Sequence, residues 1–151
     1  MPNLYEPATV EEVKARLARL TPESERLWGT MSAAQAMAHC AAALEIPLGD
    51  RAPSREKLVL RLLGRIIKPL ALGNDRPMRR NSPTSKDLVV QDERDFGVER
   101  ERLSALIDRF AAGGPQGCTT APHSFFGPLT PEEWGELMYK HLDHHLRQFG
   151  V

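Results

Sequence analysis

Residues 130–149 read TPEEWGELMYKHLDHHLRQF, and this stretch decides the fold. Thr130 followed by Glu133 forms a capping box, in which each side chain accepts a hydrogen bond from the other residue's backbone amide. Pro131 stands at the first helical position, where its fixed φ suits a helix and its missing N–H costs nothing. The sequence therefore predicts a last helix that begins at Pro131 and runs to about Phe149.

The apolar stripe of this last helix includes two histidines. Met138, His141 and His145 share one face, in line with Trp134 and Phe149. Such a stripe faces the core of a helical protein. We therefore expect His141 and His145 to point inward, about 5–6 Å apart at Cβ and able to share one cation. The opposite side carries the residues that we expect to face solvent: Glu132, Glu136, Lys140, Asp143, His144 and Arg147.

Helical patterns account for most of the remaining chain as well. Residues 73–94 are polar and turn-rich, with DLVVQ as a candidate extended segment, and residues 111–129 form a long loop rich in glycine and proline. Four earlier helices are predicted. The first runs from about Val10 to Leu20 after a Thr9–Glu12 capping box, and the second from Ser32 to about Glu45 after a Ser32–Gln35 capping box. The third runs from a Ser54 cap to Gly73 with an interruption at Pro69, and the fourth from about Asp95 to Phe110.

These elements predict an all-α fold, a helix bundle in a single domain that spans residues 1–151. The chain of 151 residues is long enough to build one hydrophobic core. It shows no internal repeat, no coiled-coil heptads and no strong strand pattern.

Composition excludes several classes of function. Twenty basic and twenty acidic side chains give no net charge, which argues against a general nucleic-acid binder. The first residues show no secretory signal pattern, and the apolar stretch 27–44 fits a buried helix better than a membrane span. Cys40 and Cys118 lie far apart and are expected to be free thiols in a reducing cytoplasm. We thus expect a cytoplasmic protein that binds neither nucleic acid nor membrane.

A third histidine lies in the alanine-rich second helix. In MSAAQAMAHCAAAL, Gln35 and His39 are the only mid-helix polar groups apart from the Cys40 thiol. Across a bundle core, His39 could meet His141 and His145. Three neutral imidazoles from two helices would form a divalent-metal site with open positions for water or substrate. The alternative is a set of core histidines that are hydrogen-bonded and bind no metal.

His123 is a further candidate, in the long loop before the last helix. It could be a fourth ligand or an acid/base group of a loop that covers the site, or simply a loop histidine near the surface. Phe125 and Phe126 beside it are expected to be packing residues.

Two basic clusters each allow a functional and a structural interpretation. Arg61, Arg65 and Lys68 form a row on the third helix that would suit a membrane surface, but the solvated face of an ordinary core helix is the favoured interpretation. A second cluster could receive an anionic substrate or belong to a solvated loop; its members are Arg76, Arg79, Arg80 and Lys86.

A histidine in an Ala/Met-rich second helix followed by HxxxH in the last helix resembles the DinB/YfiT-like superfamily of four-helix-bundle proteins. The stretches WGTMSAAQAMAHC, RNSPTSKDLVVQDERDFGVER and HSFFGPLTPEEWGELMYKHLDHHLRQFG resemble an uncharacterised domain-of-unknown-function branch of it. The resemblance implies a DinB-like up-down-down-up four-helix bundle with short extra helices and long loops. It also implies a divalent metal ion, nickel or zinc foremost and iron as an alternative, held at His39, His141 and His145.

The same resemblance suggests a range of activities. Some superfamily members transfer low-molecular-weight thiols or act as metal-dependent hydrolases or isomerases, and many form homodimers. We therefore expect a metal-dependent enzyme of hydrolase or thiol S-transferase type that acts on a small-molecule substrate, with His123 as the first candidate for acid/base catalysis. The alternative is a non-catalytic small-molecule or stress-associated binding protein of the same fold. A closed shell of four protein ligands would favour that alternative, because catalytic sites keep a position open.

Overall fold

The structure is a computed structural model that describes residues 1–54 and 56–151. This part of the chain is all-helical and contains no strand. Its five α-helices are α1 (Pro7–Ala18), α2 (Ala33–Glu45), α3 (Leu58–Ala71), α4 (Phe96–Gly113) and α5 (Pro131–Gln148), and two single-turn 3-10 helices cover Lys86–Leu88 and Pro115–Gly117.

The two helices that carry the candidate ligands begin as predicted. At α2, the Ser32 hydroxyl accepts from the Gln35 amide at 3.2 Å, and the Gln35 side chain accepts from the Ser32 amide at 2.9 Å. At α5, Thr130 and Glu133 form the same reciprocal pair. Because each box fixes the first turn of its helix, it also fixes the register of the histidines that follow.

Two other predicted caps were wrong. α1 begins earlier, at Pro7, and Thr9 lies inside its first turn, where the hydroxyl donates to the Glu6 carboxylate at 3.2 Å. Proline at the first helical position starts this helix without a side-chain cap. α3 begins at Leu58 rather than after Ser54, whose hydroxyl has no hydrogen-bond partner among the described residues.

The connecting segments also differ in detail from the prediction. The DLVVQ segment begins in the 3-10 turn Lys86–Leu88 and only then becomes extended, at Val89. α4 continues beyond Phe110 to Gly113, so the long loop that follows it is shorter than expected. Within that loop, His123 and Gly127 pair through two backbone hydrogen bonds of 2.8 and 3.1 Å.

The core is built around α2. This helix packs against α4 and α5, and α1 packs against the same two helices. The seven alanines and one methionine of α2 are buried, and the small alanine side chains let the neighbouring backbones approach closely. The largest fully buried side chains around it are Trp134, Phe110, Leu4, Met37, Leu44, Ile107 and Val13.

Half of the polar side of α5 is buried, contrary to the prediction that it faces solvent. Glu136, Lys140 and Asp143 are buried, whereas Glu132 and Arg147 are exposed as predicted. Lys140 donates to the carbonyl oxygen of Ala71 at 2.6 Å, and Asp143 accepts from Arg16 at 2.9 Å. The prediction failed because the end of α3 and the side of α1 cover this face and pair its charges, which makes their burial tolerable.

α3 is the helix whose placement differs most from the prediction. Within residues 1–54 and 56–151, its polar contacts with another helix come from its C-terminal end, where Lys68 pairs with Glu133 and the Ala71 carbonyl accepts from Lys140. Gly64 is its one fully buried residue; it lies on the backbone of Phe125, where any side chain would collide with the Phe125 carbonyl oxygen. The opposite side is apolar and exposed, with Val59 and Ile66 at 75% and 74% exposure. The interpretation of α3 as an ordinary core helix was therefore wrong.

Candidate metal centre

Three histidines from two helices converge at one point between α2 and α5. His39 comes from α2, and His141 and His145 come from successive turns of α5. Their ring centroids are 4.8 Å apart in all three pairs. One nitrogen of each ring lies within 4.8 Å of the others, so the group could hold a metal ion.

Burial keeps these imidazoles neutral. His39 is 3% exposed, and the rings of His141 and His145 are partly buried. Desolvation lowers the pKa of all three, and the nearby imidazoles lower those of His141 and His145 further. The pKa of His145 is lowered to about 3. Neutral imidazole is the form that binds a metal ion, so no proton need be removed from these rings at neutral pH.

A backbone carbonyl orients His39. Its Nδ1 lies 2.7 Å from the carbonyl oxygen of Leu88, the last residue of the 3-10 turn Lys86–Leu88. A carbonyl oxygen only accepts hydrogen bonds, so Nδ1 must carry the proton. The lone pair is then on Nε2, which lies 2.9 Å from Nε2 of His141.

A buried glutamine orients His145 in the same way. The Gln148 amide nitrogen donates to the Trp28 carbonyl oxygen at 2.8 Å, which leaves the Gln148 oxygen 2.8 Å from Nδ1 of His145. This oxygen can only accept, so Nδ1 donates and Nε2 of His145 is free for a metal ion. Gly29, at φ +76°, makes room for the glutamine, since a side chain there would strike its amide nitrogen.

The spacing of the ligand atoms fits a metal site. Nε2 of His39 and Nε2 of His141 are 2.9 Å apart. Two ligands bound at about 2.0–2.1 Å lie roughly 2.8–3.4 Å from each other at octahedral or tetrahedral angles, so this pair already has the spacing of two metal ligands. Three imidazoles suit zinc, nickel and iron(II) alike.

Three histidines make up the whole group in the described part of the chain. Among the described residues, no further histidine, cysteine, aspartate or glutamate belongs to it. Cys40 follows His39 directly, but its thiol is buried and desolvation raises its pKa, which disfavours the thiolate that a metal would bind. Both Cys40 and Cys118 are free, as expected.

His123 lies outside this group. Its Nδ1 accepts hydrogen bonds from the backbone amides of Phe125 and Phe126, both at 3.1 Å, and its ring lies 5.5 Å from the ring of Trp134. Burial lowers its pKa to about 4. These contacts hold the His123–Gly127 hairpin in shape, and they occupy one of the two nitrogens that acid/base chemistry would need.

His144 is half-buried rather than directed to solvent. Its ring lies 5.0 Å from His145 and 5.6 Å from Trp28. Burial lowers its pKa, and the nearby backbone of Met78 opposes this in part. The Arg80 guanidinium lies 4.1 Å from the centroid of the Trp28 ring. The loop after α3 therefore covers this end of α5, and Arg80 is the member of the predicted basic cluster that lies against Trp28 there.

Sequence reasoning missed the two groups that orient the ligands. Gln148 stands at i+3 from His145, a spacing that places both on one helix face, so the sequence did contain this signal. The role of the Leu88 carbonyl could not be predicted from the sequence, because every residue has a backbone carbonyl that can accept a hydrogen bond.

A family model with the description "Protein of unknown function (DUF1569)" matches residues 6–150. The chain belongs to this family. The matched range contains all three histidines of the site, and the description assigns the DUF1569 family no activity. The expected resemblance to an uncharacterised domain family is thereby confirmed. No curated protein and no solved structure matches the chain.

Proposed function

We propose that this protein is a divalent-metal-dependent enzyme with a DinB-like bundle, in which His39, His141 and His145 bind the metal ion. The observation that carries the proposal is the three-histidine group itself, to which no further histidine, cysteine, aspartate or glutamate of the described residues belongs. Three protein ligands are typical of catalytic sites, whereas structural sites are closed by four. In this proposal α1, α2, α4 and α5 are the four bundle helices, and α3 is an additional helix.

The donor set suits nickel, zinc and iron(II); we place nickel or zinc first and iron(II) second because the resemblance to the DinB/YfiT-like superfamily implies that order. A metal ion bound there would supply Lewis acidity to a water molecule or a thiol in the open position. This chemistry suits hydrolysis of a small molecule or transfer of a thiol group, and these are the two reaction types that we propose.

The protein's own residues would prepare the site in three ways. The Leu88 carbonyl and Gln148 fix two imidazoles with Nε2 directed inward. Such partners typically change metal affinity or activity by 10–100-fold. Burial of His39 excludes water from one side of the site. Trp28 and Arg80 lie beyond His144, where a cation over an aromatic ring could meet the acidic part of a substrate.

An acid/base role for His123 is the less supported part of the proposal. With Nδ1 occupied by two amides, only Nε2–H is available, and a ring with a pKa of about 4 stays neutral at neutral pH. His123 would then act as a hydrogen-bond donor rather than as a general base. Unchanged turnover in His123→Ala on an identified substrate would remove this role.

Cobalt substitution tests for an open coordination position. The cobalt-loaded protein should change its visible spectrum when azide or a small thiol is added, because an exogenous ligand enters the open position. His144→Ala, which alters a neighbouring histidine outside the group, serves as the matched control and should respond in the same way. A cobalt spectrum insensitive to added ligands would indicate a closed structural site and favour the non-catalytic binding protein.

Screening for turnover tests the enzyme itself. Activity on hydrolysable small molecules or thiol conjugates should require the metal ion, disappear in His141→Ala and persist in His144→Ala. Activity that survives in His141→Ala would contradict the assignment of the site.

A further inference from the structure

We propose that the outer face of α3 is a docking surface for an anionic lipid membrane, on which the helix would lie parallel to the bilayer plane. This surface, called the α3 face below, consists of Leu58, Val59, Leu62, Leu63, Ile66 and Leu70.

The α3 face is continuous and apolar. Leu58, Leu62, Ile66 and Leu70 follow one another at i+4 spacing, so they form one stripe, and Val59 and Leu63 lie beside it. All six side chains are at least 45% exposed. Monomeric proteins rarely expose contiguous apolar patches larger than a few hundred Å², and those that do commonly use them for binding.

The position of α3 holds this face outward. Gly64 seats the opposite side of the helix on the Phe125 backbone, and Lys68 fastens it with a hydrogen bond to the Pro128 carbonyl (3.0 Å) and a salt bridge to Glu133 (2.7 Å). The α3 face therefore points away from its own support, as an interfacial helix requires.

Charge decides between a membrane and a second copy of the chain. Residues 58–71 contain Arg61, Arg65 and Lys68 and no aspartate or glutamate. No described carboxylate lies within salt-bridge distance of Arg61 or Arg65, and both are exposed. In a two-fold dimer through this face, the arginines of both copies would line one seam without acidic partners from α3. Anionic lipid headgroups complement the same arginines, each with a favourable contribution.

The helix would bind at the membrane surface and would not cross the bilayer. No helix in residues 1–54 and 56–151 has the length and apolarity needed to cross a bilayer. A 14-residue amphipathic helix with basic residues at its edge is suited to lie in the headgroup region instead.

Vesicle flotation of the full chain tests the proposal. The protein should float with phosphatidylcholine vesicles that contain phosphatidylglycerol, and less with phosphatidylcholine alone. Val59→Ser/Ile66→Ser should lower the partition coefficient roughly tenfold or more, because it removes two large apolar contacts. Arg61→Gln/Arg65→Gln should lower it roughly fivefold per arginine, and only on the anionic vesicles.

Val98→Ser is the matched control, since Val98 is also largely exposed but lies on α4. It should float like the wild type. Absence of flotation by the wild type, or equal flotation by Val59→Ser/Ile66→Ser, would overturn the proposal. So would a wild-type dimer that binds no vesicles and that Val59→Ser/Ile66→Ser converts to a monomer, because the α3 face would then be a subunit interface.

Discussion

α2 and α3 are both strongly apolar helices of similar length, yet the protein buries one and exposes the other. α2 reads AAQAMAHCAAALE and lies at the centre, with 11 buried residues. α3 reads LVLRLLGRIIKPLA and has Gly64 as its only buried residue. The small side chains of α2 let α4 and α5 approach on several sides, and they leave room for the histidines of α5. The large apolar side chains on the outer side of α3 are exposed instead. Residue size and helix position, rather than apolarity alone, decide which helix forms the core.

The largest expected effect is the loss of a core leucine from α2. Leu44→Ala should lower the free energy of unfolding by about 2–5 kcal/mol, because Leu44 is 1% exposed and its removal leaves a cavity. Urea denaturation followed by circular dichroism measures this. A loss below about 1 kcal/mol would show that α2 does not form the centre of the core.

The second-largest expected effect is on metal binding at the three-histidine site. Gln148→Leu should weaken zinc or nickel binding by about 10–100-fold, since His145 loses the acceptor that fixes its tautomer. Competition with a chromogenic chelator measures the dissociation constant. Gln116→Leu, at an exposed glutamine, is the control and should bind like the wild type. Equal affinities in all three proteins would mean that Gln148 does not orient a ligand.

The His123–Gly127 hairpin, which contacts α3, should make the stability of the protein depend on pH. The pKa of His123 is about 4 in the folded state, below the roughly 6.5 of an unfolded histidine. Between these values the unfolded chain binds the proton and the folded chain does not. Stability is therefore full above about pH 6.5 and declines as the pH falls towards 4, by up to about tenfold in the unfolding constant per pH unit.

His123→Asn tests this dependence, because its side-chain oxygen can still accept from the two amides while the titratable ring is gone. Metal-free protein should show a shallower decline of unfolding free energy with acid in this variant than in the wild type. Parallel profiles would show that His123 titrates alike in both states.

The smallest expected effect is that of the same leucine-to-alanine substitution on the exposed helix α3. Leu58→Ala should change the free energy of unfolding by less than about 0.5 kcal/mol, because Leu58 is 67% exposed. A loss comparable to that of Leu44→Ala would mean that α3 is packed in solution, and the contrast between the two helices would fail.

The sequence predicted the helices of the site better than the rest of the fold. Reciprocal capping at Ser32 and Thr130 is a local interaction, so it was legible in the sequence, and it set the register that brings His39, His141 and His145 together. The location of α3 could not be predicted from the sequence, because it depends on a contact between Gly64 and the carbonyl of Phe125, which is distant in the chain. The apolar stripe of α3 looked like that of any core helix.

Burial of the polar side of α5 was equally hidden. Lys140 and Asp143 read as solvent-facing residues, and only their partners on α3 and α1 explain their burial. Helical periodicity predicts the direction in which a side chain points. It does not predict which residues from distant parts of the chain will pair with that side chain.

Metal content tests the central claim most directly. Plasma mass spectrometry on protein purified without a histidine tag should find a near-stoichiometric divalent metal in the wild type and in His144→Ala, and its loss in His141→Ala. A wild type that binds no metal even after reconstitution with nickel, zinc or iron, or a His141→Ala variant that retains it, would contradict the account and leave the three imidazoles as hydrogen-bonded core residues.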